Sequence, residues 1–188
     1  GWWNLYEWKD GTTQALCPRD SEFGQAQWSF GQSSFAIQGP DRIACVYNDK
    51  NGGVLANLDT STRKLIRLDV PHTTLSSVSS SRDKLLYLGG SPTRQPEIVL
   101  HDVQSNRTDV LRASSAMEIL PAVISAPEPI EFPTEGNLTA FAFYYPPKND
   151  AYSAPSDAKP PLLVLSHGGP TGDSDSTLGT SVKEPSEL

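Results

Sequence analysis

Residues 41–69, DRIACVYNDKNGGVLANLDTSTRKLIRLD, and residues 83–113, DKLLYLGGSPTRQPEIVLHDVQSNRTDVLRA, read as two copies of one pattern. When one is laid on the other, Arg42 falls opposite Lys84, Ile43 opposite Leu85 and Asp59 opposite Asp102, an offset of 42 to 43 residues. That period is the roughly 40–45 residues of a four-stranded propeller blade, in which a polar turn separates the third strand from the outer fourth. A β-sandwich, which also yields many short strands, is the alternative, and the repeat favours the propeller.

Working outward from these copies, residues 1–115 show short apolar or alternating runs divided by clusters of Gly, Pro, Asp, Asn and Ser, without 3.6-residue periodicity. The predicted strands are Trp3 to Trp8, Gln27 to Phe30, Ser34 to Ile37, Ile43 to Tyr47, Val54 to Asp59, Leu65 to Leu68, Leu75 to Val78, Leu85 to Leu88, Ile98 to Asp102 and Asp109 to Leu111. Turn signals between them include Asp10-Gly11, Gly39-Pro40-Asp41, Asn51-Gly52-Gly53, Thr60-Ser61-Thr62 and Gln104-Ser105-Asn106. The opening WWNLYEWKDGTTQAL reads as the last two strands of an earlier blade. A propeller ring takes at least about four blades and this stretch supplies about two and a half, so the ring is incomplete as written. Trp2, Trp3, Tyr6, Trp8, Trp28 and Phe30 are expected to fill the space between neighbouring blades, the alternative being a platform for stacking a ligand.

Past residue 115 the character changes. SAMEILPAVISAPEPIEFP is a proline-punctuated connector, and Ile130 to Phe132 with Leu138 to Tyr145 form a hairpin turning at Glu135-Gly136-Asn137. PPKNDAYSAPSDAKPP holds five prolines in sixteen residues and cannot be an interior strand. The following run, Leu162-Leu163-Val164-Leu165, is apolar at every position, which is how a strand buried on both faces of a parallel sheet reads. The fold expected is mainly β: incomplete propeller blades in residues 1–115, then a connector and the first strands of an α/β domain in 116–178. Residues 179–188 close a tail rich in Ser, Thr, Asp and Glu and are expected to be disordered.

Composition narrows the function. The chain has 188 residues, a formal charge of -7 and a pI near 4.9, and its fifteen Lys and Arg are scattered, which argues against nucleic acid and anionic membrane as partners. No apolar run approaches the roughly 20 residues that span a bilayer, and GWWNLYEWKDG lacks a signal-peptide layout. Cys17 and Cys45 are the two cysteines and make no disulfide framework; Cys45 lies in an apolar run as a small hydrophobe, and a reduced, cytoplasmic setting is expected. The sequons at Asn106 and Asn137 are expected to be turn asparagines. His72, His101 and His167 are too dispersed for a metal site, and Asp157, Asp173 and Asp175 fall short of a calcium loop. Neither a metal nor a cofactor is expected.

The stretch PPLLVLSHGGPTG, residues 160–172, carries the chemistry. Glycines after a buried strand let the backbone come close to a substrate and adopt positive φ, so that an N–H can be aimed at an oxygen that becomes negative in a tetrahedral intermediate. The bland alternative is a Gly-Gly-Pro turn closing a strand, with His167 packing on it. The hairpin, the proline-rich loop and the propeller-like repeats ahead of the loop favour the oxyanion reading, since α/β-hydrolases place an HGGG-type segment between an early strand and the first helix.

With GWWNLYEW, FGQAQWSFG, PEPIEFPTEGNLTAFAFYYPP and PPLLVLSHGGPTG together, residues 1 to about 178 resemble a segment of a prolyl oligopeptidase family serine peptidase, in the branch of acylaminoacyl-peptidases and dipeptidyl-peptidase-like enzymes. The resemblance implies a propeller gating an α/β-hydrolase domain that cleaves short or acylated peptides with a Ser-Asp-His triad. Carried over by position, Gly169 donates a backbone N–H to the oxyanion, Gly168 and Pro170 shape the loop, and His167 supports it without being the triad base.

The sequence departs from that pattern in one respect. It contains no G-x-S-x-G, and Ser174 and Ser176 lie in a polar segment with no strand-to-helix elbow. The expectation is therefore a fragment without nucleophile, acid or base, inactive on its own, whose whole relative binds short peptides. A non-catalytic propeller-type interaction module is the alternative, and an esterase or lipase is disfavoured by the propeller.

Overall fold

Alternating apolar and polar residues with turn formers every eight to ten positions leave the backbone one economical way to satisfy its N–H and C=O groups, the antiparallel hairpin. In the computed structural model, which describes residues 1–25, 28, 30–169, 172 and 174–179, this pattern becomes a run of meanders. Strands β1 (Tyr6–Lys9) and β2 (Thr12–Ala15) form a hairpin. Next, β3 (Phe35–Gly39), β4 (Arg42–Asp49), β5 (Gly52–Asp59) and β6 (Lys64–Arg67) form one four-stranded sheet. A second consists of β7 (Thr74–Ser81), β8 (Lys84–Ser91), β9 (Arg94–Asp102) and β10 (Arg107–Ala113). The sheet order follows the chain order in both, as in propeller blades.

The repeat read from the sequence holds at the level of register. Arg42 pairs with Asp59 in the first blade and Lys84 with Asp102 in the second; Cys45 pairs with Ala56, and Tyr87 with Val99. The turn after the third strand is also copied. Asp59 Oδ1 accepts the N–H of Thr62 (2.7 Å) and the hydroxyl of Ser61 (2.7 Å), and Asp102 Oδ1 accepts the N–H groups of Gln104 (3.1 Å) and Ser105 (3.0 Å). The fourth residue after each aspartate, Arg63 and Asn106, has φ of 57° and 54°. Asn106 and Asn137 (φ 60°) are turn asparagines, as expected.

Each blade face has its own neighbour. Leu5, Leu16, Cys17 and Phe23 pack on one face of the first blade, against Cys45, Tyr47, Val54, Ala56 and Leu58. The opposite face, Ala44, Val46 and Leu55, packs on Leu75, Val78, Leu85, Tyr87 and Val99 of the second blade. Phe23 stacks on Tyr47 with centroids 4.8 Å apart, and Arg19 lies over the same ring at 5.5 Å. Cys17 and Cys45 are free thiols in the first of these cores; burial pushes the Cys45 thiol up to about 12 and raises that of Cys17.

Blade also clasps blade through polar contacts. Ser33 Oγ donates to the Val78 carbonyl at 2.7 Å, Ser80 Oγ to the Ile37 carbonyl at 2.8 Å, and Arg42 meets Asp83 at 2.6 Å.

The chain divides into two units, Gly1–Ser115 with the segment beginning at Thr177, and Ala116–Ser176. In the second, β11 (Glu128–Pro133) and β12 (Thr139–Tyr144) form the expected hairpin, closed by a 3-10 turn at Glu135–Asn137 with Gly136 at φ 67°. Ser125 Oγ donates to the Pro146 carbonyl beside it. In the first, the N–H of Leu178 bonds to the carbonyl of Ser91 at 2.9 Å.

Four expectations need correction or a boundary. Leu162–Leu165 is not a strand and is not buried: its side chains are 80, 74, 76 and 67% exposed. A strand covered on both faces needs partners at its edges, and no described strand pairs with it. The aromatics Trp2, Trp3, Tyr6, Trp8, Trp28 and Phe30 are exposed, not wedged between blades; the Trp3 indole lies against Gly24. The strand expected at Gln27 to Phe30 involves Gln27 and Ser29, outside the described residues, while Trp28 and Phe30 sit in turns. Of residues 179–188, expected to be a disordered tail, 180–188 also lie outside the described residues.

Candidate functional site

The glycine loop occupies 166–169 and continues to Gly172; Pro170, Thr171 and Asp173 lie outside the described residues. Gly169 has φ 75°, the left-handed region, and nothing stands within 4 Å of where a Cβ would be. The position therefore demands glycine for its backbone and leaves space beside it. At Gly172 the situation is reversed. A Cβ there would lie 2.5 Å from the Gly168 carbonyl oxygen and 3.1 Å from His167 Nδ1, so this position has no room for a side chain. His167 is exposed, its Nδ1 3.4 Å from the Gly168 carbonyl. The arrangement provides a bent, solvent-facing backbone at Gly168-Gly169.

The blades hold a second polar cluster that reading the sequence did not find. His72, in the connector from β6 to β7, is buried between the Tyr87 hydroxyl, 3.0 Å from Nδ1, and Glu97 Oε2, 3.1 Å from Nε2. With Glu97 ionised, the ring donates through Nε2–H and accepts the Tyr87 O–H at Nδ1. Burial, and then the Glu97 charge, push the Tyr87 phenol well above its ordinary range, so it stays protonated. Arg94 also approaches Glu97 Oε2, the oxygen that meets His72, at 3.8 Å. Gly89 makes room: a Cβ there would lie 2.6 Å from the His72 ring and 2.8 Å from that of Tyr87. With Tyr87 only 1% exposed, no substrate reaches its oxygen, and the cluster ties the connector to the second blade. The sequence did carry a signal. Tyr87 and Glu97 stand at repeat positions that Cys45 and Val54 occupy in the first blade, and paired polar intrusions into an apolar pattern imply a mutual partner.

His101 is the other buried histidine among the described residues. It has no exposed surface, its Nδ1 is 3.0 Å from Thr108 Oγ1, and its Nε2 has no hydrogen-bond partner among the described residues. Burial lowers its pKa, against the smaller opposing pull of Asp102 and Asp69. Among the described residues no three His, Cys, Asp or Glu side chains are grouped to hold a metal ion.

No protein-family model matches the sequence, and no curated protein sequence does so significantly. Solved structures do match. A puromycin-hydrolysing peptidase of Mycobacterium tuberculosis is 29% identical and superposes with a TM-score of 0.88 over 95% of this chain. Puromycin hydrolase gives 29% identity and a TM-score of 0.85, again over 95%. The chain resembles a fragment of a prolyl oligopeptidase family peptidase. Prolyl oligopeptidase B of Galerina marginata, at 12% identity and a TM-score of 0.54 over 72% of this chain, shares the fold alone. The chain spans only 28% and 27% of the length of the two puromycin-hydrolysing relatives. No described helix is long and apolar enough to cross a membrane.

Proposed function

We propose that this chain contributes propeller blades and one oxyanion-hole loop to a serine peptidase that hydrolyses short or acylated peptides. The observation that carries the reading is the 95% coverage at 29% identity by puromycin-hydrolysing peptidases, a span that includes both blades and reaches the SHGGP segment. In this reading Gly169 presents its N–H to the oxyanion, Gly168 and His167 hold the bend, and Leu162–Leu165 becomes a strand once the rest of an α/β-hydrolase sheet is present to pair with it. No cofactor, metal or nucleic acid enters the scheme. The free thiols Cys17 and Cys45 support a reducing, cytoplasmic setting.

The chain alone lacks the nucleophile, so a fluorophosphonate probe leaves it unlabelled and puromycin is not hydrolysed. Stoichiometric labelling of a serine would overturn that part. A chimera tests the rest: the chain replaces the matching segment of the M. tuberculosis peptidase and puromycin hydrolysis is measured. Activity is retained, and Gly169→Pro, which deletes the N–H and also forbids the φ of 75° found there, lowers kcat by at least about 10²–10³. A folded chimera whose kcat ignores that substitution would exclude Gly169 as an oxyanion donor.

A further inference from the structure

Two buried polar atoms face the joint between the blades from opposite sides. Asn57 in β5 pairs with Ala44 and follows Leu55 by two positions, so it lies on the face of the first blade that meets the second. His101 in β9 pairs with Leu85 and follows Val99 by two positions, which puts it on the face of the second blade that meets the first. Asn57 Oδ1 and His101 Nε2 are both buried without a hydrogen-bond partner among the described residues, so they do not bond each other directly. Ala44, Leu55, Leu85 and Val99, beside them on the two faces, carry no hydrogen-bonding side chain.

The repeat makes both residues exceptions. With Asp59 matched to Asp102, Asn57 falls on Leu100 and Leu58 on His101. Each blade has one polar residue where the other has leucine, at neighbouring positions whose side chains point to opposite faces. The asparagine and the histidine occupy the two faces that meet. Their chemistry is complementary as well. With the Thr108 hydroxyl, 3.0 Å away, donating to Nδ1, the ring carries its hydrogen on Nε2 as a donor, and Asn57 Oδ1 is an acceptor.

We propose that a single buried water bridges the two atoms, accepting from His101 Nε2–H and donating to Asn57 Oδ1. A buried donor and a buried acceptor that share one apolar joint without touching are the pair such a water satisfies. The bridge also makes the joint selective. Asn57 set against a blade with leucine at the His101 position keeps an unpaired oxygen, and His101 set against leucine keeps an unpaired N–H, so the pair fixes which two faces meet.

A crystal structure of the whole chain at about 1.5 Å resolution tests the bridge directly: one water lies within about 2.7–3.2 Å of both Nε2 and Oδ1. Urea denaturation at about pH 8, where burial keeps the ring uncharged, tests the coupling. Asn57→Leu lowers the midpoint of the parent chain, because the water on Nε2 loses its acceptor. The same substitution raises the midpoint of the His101→Leu, Thr108→Val chain, where the Asn57 oxygen has lost the donor that held its water. The two effects differ by at least about threefold in the unfolding equilibrium constant. A dry joint, a direct bond from Nε2 to Oδ1, or an Asn57→Leu effect that differs by less than threefold between the two backgrounds overturns the proposal.

Discussion

Ser33 and Val78 exchange two hydrogen bonds across the boundary between the blades: the Val78 N–H donates to the Ser33 carbonyl at 2.9 Å and the Ser33 hydroxyl to the Val78 carbonyl at 2.7 Å. A bulge frees Val78 for this. The register of β7 on β8 passes from Ser76↔Leu88 to Ser79↔Leu86, leaving Ser77 and Val78 opposite one residue, with Ser77 at φ 55°. Val78 thereby keeps its side chain in the inter-blade core, 1% exposed, and lends its backbone to the neighbouring blade.

Ser33→Ala removes the hydroxyl from this joint and leaves the Val78 carbonyl short of a donor. The expected loss is about 1 kcal/mol, or roughly 2–4 °C in Tm. Ser77→Gly acts the other way, relieving the left-handed backbone, and raises Tm slightly. Thermal denaturation of the two single variants checks both signs.

Gly89→Ala forces a methyl group into the His72 and Tyr87 rings, which are both buried and hydrogen-bonded and have little freedom to move aside. Overpacking of this kind costs about 1–3 kcal/mol. Gly11→Ala, in the β1–β2 turn, has open space beside it but φ of 78°, so its smaller loss reports backbone strain alone. Urea midpoints of the two variants separate packing from conformation.

His101→Leu places at this position the residue found at its repeat partner, Leu58, and removes a buried ring nitrogen without a partner. Because burial depresses the imidazole pKa, the parent chain's stability from this group is complete above the ordinary histidine pKa of about 6.5 and falls as pH drops below it. His101→Leu with Thr108→Val is therefore expected to match or exceed the parent at pH 7, and to lose less stability between pH 7 and 5. A steeper loss in the double variant would contradict the assignment.

Asp59 and Asp102 cap their turns as carboxylates. The Thr62 N–H and the Ser61 hydroxyl hold Asp59 down at about 2, and the Ser105 N–H is the main cause of the lower pKa of Asp102. A depressed carboxylate stabilises the fold above its ordinary pKa and loses that contribution as pH falls through the folded value. For Asp59 the window runs from about pH 4 down to about 2. The Asp59→Asn, Asp102→Asn chain shows a shallower acid-side decline across it, measured by denaturation at stepped pH.

The blades were legible because Arg42–Asp59 and Lys84–Asp102 repeat both an apolar alternation and an aspartate-initiated turn, two signals fixed by local geometry. Strand ends were less so. β7 extends to Ser81 and β9 begins at Arg94, since pairing with β8 carries polar residues that have no apolar pattern of their own. The His72 cluster escaped notice because its members are 15 and 25 residues apart and meet only after two strands fold together. Leu162–Leu165 shows the opposite failure: composition speaks of burial, while burial needs partners that composition does not supply. For the glycine loop, the sequence marks where positive φ is needed, and Gly169 adopts it.

The exposed Leu162–Leu165 run also bears on how such a chain survives synthesis. An exposed apolar run is a template for misassembly, yet this one is bracketed. Pro160 and Pro161 precede it without an N–H to offer, and Gly168-Gly169 break the extended path just beyond it. The apolar core of the segment is thus held to four residues, below the six or seven that form a steric zipper. The prolines and glycines that flank the run thus act as gatekeepers against aggregation.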